Sequence, residues 1–144
     1  MNLDQLTDLG PQLKLEDLVA YERQIGCALP NDYREFLLAT NGGNPKDAGY
    51  FIVKHALRKP ESWVKIEFFY GLRRDDGLTL SQAREIHHGS LPDNVLPVAY
   101  DGFGNQIYVH LEDDFGAVFF WSHDVDVEDE KMASSFTEFF DNLK

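Results

Sequence analysis

The sequence has little cysteine, no long apolar run and, over one long interval, no basic side chain. Its single cysteine, Cys27, cannot form an internal disulfide. No apolar run approaches the roughly 20 residues of a membrane-spanning helix. The N-terminus has neither the basic nor the apolar region of a secretory signal. These absences predict a cytoplasmic protein, in a reducing compartment, that does not span a membrane.

Lys and Arg are missing between Arg84 and Lys131, an interval that contains eleven carboxylates. The whole chain has 13 Lys and Arg against 25 Asp and Glu, a formal charge of −12. Nucleic acids and anionic membrane surfaces are bound by clustered Lys and Arg, so this charge excludes both classes of partner. Two interpretations remain open for the acidic interval, a solvated surface or a docking surface for a basic protein.

The length and composition fit one folded domain over residues 1–144. Apolar residues make up 43% of the 144 and charged residues 26%, which is typical of globular proteins rather than disordered ones. No internal repeat or low-complexity linker divides the chain. A domain of this size buries enough surface to fold without metals or crosslinks.

The sequence pattern predicts helices at both ends of the chain. Apolar residues recur at helical spacing over residues 13–25, and Gly26 follows where a left-handed residue ends a helix. Pro30 begins a second helix over residues 31–40, which Asn41-Gly42-Gly43 ends. Near the C-terminus a phenylalanine stripe predicts a helix over roughly residues 133–143.

The middle of the chain predicts strands, with one short helix over residues 80–88. β-branched and aromatic residues indicate strands over residues 50–53, 63–70, 96–100, 105–111 and 117–121. The last three are joined by turns too short for a parallel crossover, so they form an antiparallel meander. The predicted fold class is α+β, a single domain with a central, mostly antiparallel β-sheet of about five to six strands. The N-terminal helices and the C-terminal helix pack on this sheet.

The histidines of the meander do not form a metal site in this prediction. If the turn after the second meander strand pairs Leu111 with Ala117, His110 and His123 lie about five residues apart along the ribbon. That separation is roughly 16 Å, too far for one metal ion. With one cysteine the chain has no zinc motif, and we expect no metal site.

Two other features have a chemical and a structural interpretation. Asp101-Gly102-Phe103-Gly104 contains G-x-G, but it joins two strands instead of beginning a helix, which favours a tight turn over a phosphate-binding loop. Cys27 lies among apolar and small residues between two helices, which favours a buried core thiol over a nucleophile. We therefore predict no catalytic residue, no cofactor and no enzymatic activity.

Two blocks of sequence resemble the signatures of the SUKH superfamily, the Smi/Knr-type domain named after fungal cell-wall regulators. The first block runs from Tyr21 to Gly43, and the second from Leu96 to Asp124. The residues that carry the resemblance are Leu29, Pro30, Tyr33, Phe36, Asn41, Gly42, Gly43, Pro97, Asp101, Gly104, Asn105 and Trp121.

The resemblance implies an α+β fold and no known catalytic residues. It also implies a function, because many bacterial members resemble immunity proteins that bind and neutralise a cognate polymorphic toxin, often a nuclease or deaminase. The expected partner is a basic toxin domain, which the protein would inhibit by binding alone, without a catalytic step. The alternative is a housekeeping scaffold or regulatory interaction module, and a third class is a small-ligand binder or enzyme.

The acidic interval supplies the candidate binding residues. A nuclease must attract phosphates, so its active-site cleft is expected to be basic, and an acidic surface would steer onto it. The predicted rim consists of Glu112, Asp113, Asp114, Asp124, Asp126, Glu128 and Asp129, with Phe115 and Trp121 as apolar anchors. The competing interpretation of these carboxylates is a solvated loop. The oligomeric state stays open.

Overall fold

The computed structural model describes residues 1–47, 49–53, 62–76, 79–124 and 126–143. Within these ranges the chain forms helices at both ends and strands between them. The order of elements is that of an α+β domain, as the sequence predicts.

The described residues contain four α-helices and one short 3₁₀ helix. The α-helices are α1 (Leu15–Ile25), α2 (Asn31–Thr40), α3 (Leu80–Ile86) and α4 (Phe136–Asp141). The 3₁₀ helix covers Leu3–Gln5. The first two helices end where the sequence predicts, because Gly26 and Asn41 both adopt the left-handed conformation, with φ of 80° and 48°.

Nine strands form three antiparallel sheets in the described part of the chain. They are β1 (Leu6–Thr7), β2 (Asn44–Pro45), β3 (Gly49–Val53), β4 (Ser62–Ile66), β5 (Phe68–Phe69), β6 (Val95–Tyr100), β7 (Gln106–His110), β8 (Val118–Trp121) and β9 (Glu130–Ala133). The central sheet has five strands in the order β5-β6-β7-β8-β9. Strands β1 and β2 form a separate pair, as do β3 and β4.

An aromatic core joins α2 and α4 to one face of the central sheet. The Phe36 ring of α2 lies 5.3 Å from Phe69 of β5 and 4.9 Å from Phe136 of α4, measured between centroids. Phe69 in turn lies 5.8 Å from Phe140 of α4. Tilted rings at these distances pack favourably beyond the area that they bury. The Asp32 carboxylate ties the two helices together by accepting the Thr137 amide at 2.8 Å.

Three boundaries differ from the sequence prediction, each because of pairing across the sheet. The predicted strand over residues 63–70 is two strands, since β4 pairs with β3 whereas β5 pairs with β6. The predicted last helix begins only at Phe136, because residues 130–133 form β9 against β8. The β7–β8 register is shifted by one residue, with Val109 and not His110 opposite Val118.

Candidate functional site

The predicted binding residues, apart from Trp121 in β8 itself, lie in two segments on either side of that strand. We call residues 112–115, Glu112-Asp113-Asp114-Phe115, the acidic turn, because they connect β7 to β8. Residues 124–129 form the acidic connection between β8 and β9, with Val125 outside the described residues. Residues 116–123 lie between the two segments, and the four residues of β8 alone span roughly 10–13 Å of this extent.

The acidic turn is held by the backbone and leaves its side chains exposed. Asp114 and Gly116 both have left-handed φ, 52° and 87°. The Gly116 amide donates to the His110 carbonyl at 2.9 Å, and a His110 ring nitrogen lies 2.7 Å from the Asp113 carbonyl oxygen. Phe115 is an apolar side chain that is 52% exposed.

The acidic turn lies beside the connection between α1 and α2. A Cβ atom on Gly116 would meet the Pro30 ring at 3.6 Å. Cys27 is half-buried, not fully buried as the sequence predicts. Burial raises the pKa of its thiol, Arg84 opposes the rise, and the nearby Glu112 carboxylate adds to it. This thiol therefore lies at the edge of the acidic turn.

Lys131 is a basic residue within the candidate surface that the sequence pattern does not reveal. Its Nζ lies 2.7 Å from the Asp114 Oδ2, so β9 is linked to the acidic turn. Both side chains are about half exposed, and such ion pairs contribute little to stability. The Lys131 cation offsets one of the three negative charges of the acidic turn, that of Asp114.

The acidic connection is partly organised by its own carboxylates. The Asp124 Oδ1 accepts the Asp126 amide at 3.1 Å, and the Asp124 carbonyl accepts the Val127 amide at 3.1 Å. Asp126 and Glu128 are exposed, and their side chains are available to a partner. Asp129 is half-buried, and its carboxylate accepts the hydroxyl of Tyr108 at 2.6 Å. Asp129 thus anchors the connection to the sheet.

An aromatic strip lies on the sheet face between the two acidic segments. It consists of Tyr108, His110, Phe119 and Trp121, which alternate along β7 and β8 and share one face. The Tyr108 and Phe119 rings stack at 5.7 Å, and His110 lies 4.5 Å from Phe119. The half-buried Trp121 ring lies 5.5 Å from His87, at the end of α3.

The alternation of side chains between the two faces of a strand could have predicted this strip from the sequence, but only with the correct register between β7 and β8. Tyr108 lies opposite Phe119, and Phe119 lies opposite Lys131, so the strip and the basic residue belong to one face. The one-residue error in the predicted register places His110 opposite Val118 and separates these side chains. A shift of one residue moves a whole set of side chains to the other face.

The histidines and carboxylates of the described residues do not form a metal cluster. Within those ranges no group of three or more His, Cys, Asp or Glu side chains could hold an ion. His123 bonds instead to the Asn105 side chain, with its Nδ1 2.7 Å from the Asn105 Oδ1. His110 lies at the other end of β7, beside the acidic turn.

The signature residues of the first block are buried, and Asn41 joins three segments of the chain. Leu29, Pro30, Tyr33 and Phe36 belong to the interior. The Asn41 Nδ2 donates to the carbonyls of Pro11 and Arg73, at 2.9 and 2.8 Å, and its Oδ1 accepts the Leu72 amide at 2.7 Å. Gly42 and Gly43 leave no room for side chains, because a Cβ would lie 2.5 Å from the Phe69 carbonyl oxygen or 2.7 Å from that of Thr7.

The signature residues of the second block build the β6–β7 turn. Asp101 Oδ1 accepts the amides of Phe103 and Asn105 at 2.8 and 3.2 Å, and its Oδ2 accepts the Asn105 side chain at 2.6 Å. Gly104 has a φ of 94°. The predicted tight turn is present. Pro97 lies in β6 opposite Tyr108, so it borders the aromatic strip.

The sequence pattern gave no sign of Arg74, which completes the Asn41 cluster. Its guanidinium donates to the carbonyls of Asn41 and Asp8 at 3.1 and 2.8 Å and lies 4.8 Å from the centre of the Phe68 ring. An arginine in a loop is usually solvated, and no local spacing distinguishes this one. Arg74 is buried because the folded chain brings Asp8 and Asn41, which are distant in sequence, into contact with it.

Two comparisons relate this chain to other proteins. A family model described as SMI1 / KNR4 family (SUKH-1) matches residues 12–142. The SPbeta prophage-derived uncharacterized protein YokK of Bacillus subtilis (strain 168) is 29% identical over 144 residues, covering 89% of this chain and 73% of that protein. Among the described residues, the structure has no helix with the length and apolar character of a membrane span.

Proposed function

The chain belongs to the SMI1/KNR4 family (SUKH-1), and from that premise we propose that it is an immunity protein that neutralises a cognate toxin by direct binding. Members of the family are often immunity proteins that bind partner proteins. The prophage origin in the name of the Bacillus subtilis relative favours a role in conflict between cells over a housekeeping role. The protein acts in the cytoplasm and without catalysis of its own.

The observation that carries the proposal is the composite surface around β8. Its acidic turn and acidic connection present the exposed carboxylates of Glu112, Asp113, Asp126 and Glu128. Between them lies the aromatic strip, in which His110, Phe119 and Trp121 are half-buried and Tyr108 is buried, and Phe115 projects from the turn. Charged groups at both ends of a partly exposed aromatic strip fit a protein interface, in which the apolar centre supplies affinity and the charged rim supplies steering.

The partner of such a surface carries a basic cleft. A nuclease domain of a toxin has one because it must attract phosphate groups. The acidic rim accelerates its encounter with that cleft, and the association rate falls steeply with added salt. Blocking the cleft inhibits the toxin without any chemical step, so Phe115 and Trp121 need only bury their rings against it.

Neutralising the exposed rim tests the proposal. The variant Glu112→Gln/Asp113→Asn/Asp126→Asn/Glu128→Gln changes the net charge from −12 to −8 and removes no side-chain hydrogen bond found among the described residues. We expect at least about tenfold slower association with the toxin at low salt. The toxin is recovered by affinity purification from the native organism, and the rate is measured by stopped-flow fluorescence.

The matched control neutralises four exposed carboxylates elsewhere, Asp4, Glu16, Glu35 and Asp75, and reaches the same net charge. It should associate almost as fast as the natural protein. Equal rates for the two variants would show that only total charge matters and would contradict the proposed surface. If deletion of the gene impairs cells that lack any toxin, the protein is a housekeeping module instead.

A further inference from the structure

A cleft between α1 and α3 lies apart from the surface around β8. It has a volume of about 430 Å³ and is lined by the apolar Ile25 and by polar and charged side chains, Tyr21, Gln24, Ser81, Arg84, Glu85 and His88. Such a volume accommodates a small molecule. None of these residues belongs to the acidic turn, the aromatic strip or the acidic connection.

Arg84 gives the cleft a positive charge that no other described residue pairs with. The side chain is half-buried, and among the described residues it forms no hydrogen bond or ion pair. Arg73 and Arg74, by contrast, pair with Asp17 and Asp76. Ser81 lies three residues before Arg84 in α3, so both side chains face the same side of the helix. A guanidinium in this position is suited to bind a carboxylate or phosphate with two parallel hydrogen bonds.

Tyr21 supplies an independent indication of a ligand. The side chain is 3% exposed and lines the cleft, and its buried hydroxyl has no hydrogen-bond partner among the described residues. Ser81 lies beside this hydroxyl, and its interaction with Tyr21 opposes the rise in the pKa of Tyr21. Burial raises the pKa of Tyr21 to about 12, so the hydroxyl keeps its proton at neutral pH and can donate it. Buried donors without a partner are costly, and a bound oxygen atom would satisfy this one.

We propose that the cleft binds a small molecule through an oxyanion, a carboxylate or a phosphate group. The Arg84 guanidinium pairs with the anion, and the hydroxyls of Tyr21 and Ser81 donate hydrogen bonds to it. Glu85 on the cleft wall repels molecules with many negative charges, so the ligand is a small anion and not a nucleic acid. This inference is independent of the proposed immunity function.

Titration with simple anions tests the cleft directly. Sodium phosphate and sodium acetate are added to ¹⁵N-labelled protein at constant ionic strength, which is kept with sodium chloride. We expect saturable shifts of the Tyr21, Ser81 and Arg84 amide signals with a Kd of about 1 mM for the preferred anion. Saturation by phosphate alone or by acetate alone identifies the group that is recognised. Absence of saturation by either anion up to about 50 mM overturns the proposal.

Two matched pairs of variants separate binding from general effects of salt. Tyr21→Phe should weaken binding about tenfold, because it removes one hydrogen bond to a charged group. Tyr33→Phe removes another buried hydroxyl without a partner, but Tyr33 does not line the cleft, so binding should not change. Equal affinities of the two variants would contradict the proposal. Because Tyr21→Phe removes a hydroxyl without a partner, the variant is expected to fold.

The second pair concerns charge. Arg84→Gln should weaken binding at least about tenfold. Arg23→Gln, at an exposed position of α1 outside the cleft, should leave binding unchanged. Arg84→Lys keeps the charge but loses the planar fork, and we expect it to bind as poorly as Arg84→Gln. Unchanged binding by Arg84→Gln, or equal weakening by Arg23→Gln, would show that the shifts arise from non-specific ion binding.

Discussion

At the scale of single residues, Asn41 holds more of the fold together than its size indicates. It ends α2 in the left-handed conformation, and its side chain bonds to residues 11, 72 and 73. Gly10 and Gly71 make room for it, because a Cβ on either would collide with Asn41. Asn is one of the few residues besides Gly that adopt this conformation at low cost. Asn41 therefore stabilises the fold in two ways, by adopting the left-handed conformation that ends α2 and by forming three side-chain hydrogen bonds.

Two substitutions separate these contributions of Asn41. Asn41→Gly keeps the left-handed conformation but loses the three side-chain bonds, and should lower the free energy of unfolding by about 2–4 kcal/mol. Asn41→Ala should lower it by about 1 kcal/mol more, because alanine also resists a positive φ. Urea denaturation followed by circular dichroism measures both. A stability of Asn41→Gly equal to that of the natural protein would contradict the role of the side chain.

Glycines with similar backbone angles should differ in cost because their surroundings differ. Gly26 and Gly42 have φ of 80° and 84°, but nothing lies within 4 Å of a Cβ on Gly26, whereas a Cβ on Gly42 would lie 2.5 Å from the Phe69 carbonyl oxygen. We expect Gly26→Ala to cost about 1 kcal/mol of unfolding free energy. Gly42→Ala should cost about 3 kcal/mol or more. Similar melting temperatures for the two variants would show that β5 can move away from α2.

At the scale of elements, prediction from sequence worked for segments with local signals. Strand β3 and helices α1 and α2 were predicted almost to the residue, because period, capping residues and glycines are all local. The sequence pattern does not predict strand β9, since Glu130–Ala133 has no alternating apolar pattern and is a strand only through its pairing with β8. The same pairing brings Lys131 into the candidate surface.

The ion pair between β9 and the acidic turn should affect binding more than stability. Lys131→Gln breaks the contact with Asp114 and changes the net charge from −12 to −13. The free energy of unfolding should change by at most about 0.5 kcal/mol, because both side chains are about half exposed. Association with a basic partner should become faster, as measured by stopped-flow fluorescence at low salt.

Lys65→Gln is the matched control for Lys131→Gln. Lys65 pairs with Glu67 at 3.4 Å with similar exposure, but it lies in β4 and outside the central sheet. Its substitution changes the net charge by the same amount. If it accelerates association as much as Lys131→Gln, the position of the charge beside the acidic turn has no effect.

At the scale of the whole molecule, the protein combines an acidic surface with an interior rich in tyrosine. Burial raises the pKa of Tyr21 and Tyr70 to about 12, and raises that of Tyr33 and Tyr108 as well. Above pH 10 the unfolded chain therefore releases protons that the folded protein keeps. Proton release from the unfolded state favours unfolding, so stability must fall as pH rises from about 10 to about 12.

Alkaline unfolding tests this consequence. Each of these four tyrosines should lower the free energy of unfolding by up to about 1.4 kcal/mol for each pH unit above 10. Urea denaturation at several pH values measures the slope, and absorbance at 295 nm should show tyrosinate appearing together with unfolding. Tyr33→Phe should reduce the slope of unfolding free energy against pH by the contribution of one tyrosine, up to about 1.4 kcal/mol per pH unit. Tyrosinate formation in a protein that remains folded would contradict the prediction.

The sequence by itself determined the fold class, the family and the position of the acidic interval. The fold class and the acidic interval follow from composition, hydrophobic period and turn residues, which act over a few neighbouring positions, whereas the family follows from the resemblance of the signature residues. The resemblance to the SUKH superfamily, stated from the signature residues, is confirmed by the family match over residues 12–142.

Only the tertiary structure decided which side chains meet. The strand register places Tyr108, Phe119 and Lys131 on one face, and the packing of α1 against α3 brings Tyr21 beside Arg84. Contacts between residues far apart in the chain depend on the summed packing of every element, because no local pattern encodes a pairing register. The acidic interval could therefore be identified from the sequence, whereas the aromatic strip, the pairing of Lys131 with Asp114 and the cleft between α1 and α3 could not.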